Sequence, residues 1–239
     1  MQGYWNQENF EGLEAIARDA RPRPYLQLFA DYCQLKSKGL RKPAATALAE
    51  FVRDTAALDF TTRQSIIDWL LDTQRRAPHV HQLIPHPLAK QLVEPTLAQW
   101  TRDFPEDAAG HRWSGYFLHD RDALRTAVGL DAGDHFARIC LTQQLLKMVD
   151  HATHHLPEGE LLYIDELVLA CLAESEMHLQ HLVDTPDHGQ LSAWHAQQHT
   201  MVSDYLEYRK DPQGSFADWC EQRQRQHPWA ASYSYGSDT

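Results

Sequence analysis

Apolar residues recur at intervals of three and four along most of the chain, the spacing of a helix with one buried face. In KPAATALAEFVRDTAA, Ala47, Leu48, Phe51 and Val52 fall on one side. In DFTTRQSIIDWLLDTQRR, Thr61 or Thr62 is an N-cap, and Ile66, Ile67, Leu70 and Leu71 form the core face. RPRPYLQLFADYCQLKSKG places Pro24 at a first helical position and Gly39 at a C-cap. The segment APHVHQLIPHPL breaks the pattern with Pro78, Pro85 and Pro87, and LAKQLVEPTLAQWTRDF must bend or restart around Pro95.

Beyond Pro105 the spacing predicts short helices near 107–118 and 120–129 and a longer one near 134–155. EGELLYIDELVLACLAESEMHLQHLVD reads as one long helix with the stripe Leu161, Ile164, Val168, Cys171, Leu172, Leu179 and Leu182. A further helix over about 190–210 turns Leu191, Trp194, Met201, Val202 and Tyr205 inward, and Ser215 with Asp218 sets up a capping arrangement for SFADWCEQRQRQ. Alternating strand patterns and N-G or D-G turns are missing. The prediction is an all-α fold of about ten helices in antiparallel hairpins, an irregular helical-repeat-like bundle. It is divided into an N-terminal helical region (residues 1–104), an acidic C-terminal helical region (residues 105–228) and a flexible tail (residues 229–239), the two helical regions forming one continuous domain.

DFPEDAAGHRWSGYFLHDRDALRTAVGLDAGDHFAR resembles a degenerate tetratricopeptide-like helical repeat over about residues 104–138. Pro105 with Gly115 looks like the first helix of such a unit, and ALRTAVGLDAGD like the second, with Ala132 where the family usually has proline. The resemblance implies a helical hairpin in which the small residues Gly115, Ala123 and Ala127 let paired helices approach closely.

Charge changes the picture more than composition does. Hydrophobic residues make up 43% of the chain and there are seven Trp, so the chain can build a core. The start, MQGYWNQENFEG, lacks the pattern of a signal peptide, and no run approaches the roughly 18 apolar residues of a membrane span. Cys33, Cys140, Cys171 and Cys220 are far apart, which predicts free thiols in a cytoplasmic protein. The net charge of −11 is concentrated: residues 1–104 carry 13 Lys/Arg against 12 Asp/Glu, and residues 105–239 carry 9 against 21. Met148 to Tyr208 holds 11 carboxylates, eight histidines and no Lys or Arg.

Candidate chemistry centres on those histidines. Asp150, His151, His154 and His155 form one cluster, Glu174, His178 and His181 a second, His195 and His199 a third. Spacings of three and four place ligands on one helix face, as a helical-bundle metal enzyme would require. That alternative would use His151, His154, His155, Glu174, His178, His181, His195 and His199. Helical-wheel placement favours solvent instead: His151 and His154 fall opposite the core beside Lys147, and only His178 and His195 reach a stripe edge. No H-E-x-x-H, G-x-S-x-G, Walker or G-x-G-x-x-G pattern is present.

The favoured reading is a non-enzymatic binding module without a cofactor, whose acidic face holds a basic protein. Its expected contact residues are Glu158, Glu160, Glu166, Glu174, Glu176, Tyr163 and Tyr208. Nucleic acid is disfavoured because phosphates would be repelled, and no membrane partner is expected. An immunity protein that neutralises a bacterial toxin is the role this reading points to.

Overall fold

A computed structural model describes residues 7–227, in eleven helices with no strand among them. The expected tail at 229–239 lies outside the described residues. Contacts divide the chain into two units, 1–118 and 119–239.

The first unit holds α1 (Gln7–Ala20), α2 (Gln27–Ser37), α3 (Arg41–Ala56), α4 (Phe60–Arg76), α5 (86–103) and α6 (Ala108–Leu118). α2 packs against both α1 and α3. Phe29 of α2 is fully buried, with its ring 5.4 Å from Phe51 of α3 and edge-on to Trp69 of α4 at 6.0 Å. Such tilted and edge-to-face pairs suit the ring quadrupoles. α2 ends as expected near Gly39, whose φ of +71° takes the left-handed turn. Its start differs from the prediction: Pro24 lies in a turn, and the helix begins at Gln27. The cap of α4 differs too. Asp59, rather than Thr61 or Thr62, accepts the Thr62 amide at 3.0 Å and the Thr62 hydroxyl at 2.7 Å. A carboxylate outcompetes a hydroxyl here because it accepts both bonds while carrying the charge that suits a helix start.

Pro95 is absorbed by a π-helical turn, Ala89–Val93, in which the Glu94 amide donates to Ala89 O, five residues back. That wider turn is a recognised way to accommodate a proline that cannot donate to the ladder. The Pro-rich connection before it is pinned by Asn9, which accepts the His81 amide at 2.8 Å, and by the Tyr32 hydroxyl, which donates to Gln82 O at 2.7 Å.

The unit boundary falls after Leu118, later than 104/105, because α6 is bound into the first unit. Gly110 lies against the buried Trp100 ring of α5, and the Trp113 indole N–H donates to Asp68 of α4 at 2.7 Å. The two helices of the tetratricopeptide-like stretch therefore belong to different units.

The second unit holds α7 (Arg121–Leu130), α8 (His135–Thr153), α9 (Asp165–Leu179), α10 (His188–Tyr208) and α11 (Phe216–Gln222). α8 is its centre, packed by α7, α9 and α10. It is therefore buried on several sides, from Cys140, Leu141 and Leu145 to Leu146, Val149 and Ala152. Asp120 and Asp134 cap α7 and α8, and Ser215 with Asp218 forms the predicted capping box of α11.

The long helix expected from 158 to 184 is shorter than its pattern. A 3-10 turn, Leu156–Glu158, closes on Gly159 in the left-handed region at φ +86°. The chain then runs irregularly to Ile164, which is extended and 69% exposed rather than in the core stripe. Leu182, expected in that helix, is buried beyond its end in a cluster with Leu146, Leu179 and Leu191, against which Trp194 packs. Among the described residues no helix is long and apolar enough to cross a membrane.

Candidate protein-binding face

α9 carries apolar residues around its whole circumference. Val168, Cys171, Leu172, Ser175, His178 and Leu179 are buried. At 100° per residue they form one stripe, with Glu166, Leu169, Ala170, Ala173 and Met177 on the opposite side. These last five are all exposed. Of the twelve large hydrophobic residues exposed among the described residues, seven lie between 162 and 183: Leu162, Tyr163, Ile164, Leu167, Leu169, Met177 and Val183. Sequence reasoning missed this face. Its signal was present in the run Leu167, Val168, Leu169, which no single-sided helix can bury.

The acidic residues around this face divide into two groups. Glu174 is held by Arg125 of α7, with the guanidinium Nε at 2.6 Å and Nη2 at 2.7 Å, and this bidentate bond holds its carboxyl below the usual range. Asp165 is paired with Arg209, Asp204 lies buried beside His227, and Asp150 accepts from Gln198 Nε2 at 2.9 Å. By contrast Glu158, Glu160, Glu166, Glu176, Asp184 and Glu207 are exposed and have no Lys or Arg partner among the described residues. Counting charge along the sequence overstates the free carboxylates, since Arg125 and Arg209 lie outside the 148–208 run yet fold back onto it.

The predicted aromatic contacts also separate. Tyr163 is 39% exposed, its hydroxyl 3.2 Å from His151 Nδ1. Tyr208 is half-buried: its hydroxyl donates to Gly214 O at 2.8 Å and its ring lies 5.4 Å from Phe216.

The structure places the eight residues of the metal alternative as follows. His151, His154, His155, His181 and His199 are exposed, with the His154 and His155 rings 5.1 Å apart and His199 6.0 Å from His195. His195 is half-buried with Nε2 3.1 Å from Leu172 O, so that nitrogen carries the proton and donates. His178 is buried and bonded to the buried Arg138, whose Nη1 lies 3.1 Å from its Nδ1. A guanidinium only donates, so Nδ1 accepts and Nε2 carries the hydrogen, facing Glu174 at 3.8 Å. Burial first, and the Arg138 charge second, push the His178 imidazole below its ordinary pKa. Among the described residues no group of three or more His, Cys, Asp or Glu is arranged to hold a metal ion. No protein-family profile, curated protein or solved structure matches the chain.

Proposed function

We propose that this chain is a protein-binding module whose C-terminal unit holds a basic protein. One observation carries the reading: seven of the twelve exposed large hydrophobic residues among the described residues lie between 162 and 183, on and around α9, and within 158–183 Glu158, Glu160, Glu166 and Glu176 are exposed without a Lys or Arg partner among the described residues. Monomeric proteins seldom expose so many large apolar side chains in one stretch, and apolar contacts flanked by charge are the usual anatomy of a protein interface. The rim sets the sign of the partner and speeds the encounter; the apolar centre supplies the hold. A toxin that acts on nucleic acid satisfies this requirement, because its own phosphate-binding site must be cationic. Neutralising such a toxin is the role we propose.

The test is capture from native lysate on the immobilised chain, beside a variant with Glu158, Glu160, Glu166 and Glu176 all changed to Lys. Glu174 is left alone because reversing it would break the Arg125 bond inside the unit. Support is a client of net positive charge that the variant loses and whose association slows as salt is raised from 0.01 M to physiological strength, where the Debye length falls from about 30 Å to about 8 Å. A client retained equally by both proteins, with no salt dependence, would sink the reading.

A further inference from the structure

We propose that the outer face of α9 is the docking site for one amphipathic helix of the partner, apolar on one side and lysine- or arginine-rich on the flanks. The inference rests on the protein-binding reading above and specifies what that surface receives. Glu166, Ala170, Ala173 and Met177 follow one another at steps of four, three and four, so they form a single row along the side away from the core. The row spans about 16 Å, three turns of helix. Its middle is two alanines, and Leu169 and Met177 stand beside them, 43% and 50% exposed. A shallow alanine floor between two larger apolar side chains accepts the ridge of a facing helix at close range. Methionine at such a position adapts to different apolar partners.

Charge decides between the occupants. Glu166 closes one end of the row and Glu176 sits at its edge near the other end, neither of them paired with a cation among the described residues. A second copy of this chain would bring the same carboxylates against them. A two-fold pairing centred between Ala170 and Ala173 sets Glu166 of one copy beside the Glu176–Met177 end of the other. Like charges so placed oppose association, whereas a helix with cationic flanks meets each glutamate with an opposite charge.

The probe is a synthetic peptide with Leu at i, i+3, i+4 and i+7 and Lys elsewhere, labelled for fluorescence anisotropy and titrated with the full chain. Three controls accompany it: a scrambled peptide of the same composition, a Leu/Glu peptide of the same pattern, and sedimentation of the chain alone. The Leu/Lys peptide should bind, and both control peptides should bind at least about tenfold more weakly. Changing Leu169→Gln with Met177→Gln should weaken binding about tenfold, the loss of two anchoring side chains. Changing Glu166→Lys with Glu176→Lys should weaken it most at low salt. All four positions are exposed, so the variants keep the melting temperature of the parent, which the same samples report. Peptide binding unchanged by the Gln pair, but reduced by the Lys pair, overturns docking of a helix on the apolar row while leaving the acidic-face reading intact. Binding unaffected by either pair overturns both. Binding lost in the Gln pair but indifferent to the Lys pair, or a native dimer that the Gln pair dissolves, overturns the choice of a basic helix.

Discussion

His178 is the place where the fold of the second unit should depend on pH. Its Nδ1 accepts from Arg138 and the residue is 4% exposed, so protonation would put a second cation against a buried guanidinium. The folded chain therefore keeps it neutral, whereas in the unfolded chain it titrates near 6.5. Between those two values the unfolded state binds more protons, so stability is fully present above about pH 6.5 and is lost as the pH falls below it. One proton changes stability by about 1.4 kcal/mol per pH unit, so by pH 5 the loss from this group reaches at most about 2 kcal/mol. His227, buried beside Asp204, is pushed in the same direction, by burial first, and adds to the acid lability. The informative variant is His178→Asn, whose side-chain oxygen can stand where Nδ1 stood and still accept from Arg138 without titrating. It should cost about 1 kcal/mol at pH 8 from lost packing, and that deficit should shrink as both proteins are taken to pH 5. His178→Ala, which leaves a buried guanidinium N–H without an acceptor, should cost more, about 2–4 kcal/mol at pH 8. The assay is urea unfolding followed by circular dichroism at half-unit pH steps. A deficit for His178→Asn that stays constant from pH 8 to pH 5 would refute the reasoning, since it would mean that the native imidazole titrates as it does in the unfolded chain.

Two further outcomes test the packing. Gly110→Ala should destabilise the first unit by about 1–3 kcal/mol, because its Cβ would lie 2.8 Å from Cδ1 of a Trp100 that is itself buried and bonded to Asp107; an unchanged or raised melting temperature would contradict this contact. Cys33, Cys140, Cys171 and Cys220 are free and buried, and burial pushes the Cys220 thiol up to about 11. A thiol reagent at pH 8 should therefore find almost no group in the native protein and four in the denatured, unreduced one.

Helices were legible in the sequence wherever their buried stripe was complete within one element. Ile66, Ile67, Leu70 and Leu71 of α4 are all buried, as their spacing predicts. The pattern failed where tertiary contacts, rather than local spacing, decided. Leu161, Ile164 and Leu182 continue the stripe of α9, but the chain before it turns at Gly159 and the helix stops at Leu179, so Leu182 reaches the core from a turn. The candidate site was half legible. The acidic run was visible as a count, but its neutralisation by Arg125 and Arg209 depends on which helices lie beside α9 and α10. His178 stood at a stripe edge, yet nothing in its spacing could reveal that Arg138, forty residues earlier, would occupy its inner nitrogen.

The two sides of α9 answer to different demands. Its inner side is needed by the fold: Val168, Cys171, Leu172 and Leu179 fill space against neighbouring helices, and His178 satisfies Arg138. None of this requires anything apolar on the outside. A helix serving only the fold would place Glu, Lys or Gln where Leu167, Leu169 and Met177 stand, since those residues have equal helix propensity and better solvation. Keeping three large apolar side chains exposed there gains the isolated unit nothing and raises its tendency to associate. The carboxylates around them reduce that tendency by making self-contact repulsive. Under the proposed function, this combination of exposed apolar side chains and carboxylates without a Lys or Arg partner among the described residues selects a partner of the opposite charge. Because the outer row contributes little to the core, substitutions on it separate binding from folding, which substitutions at Val168 or Leu172 would not.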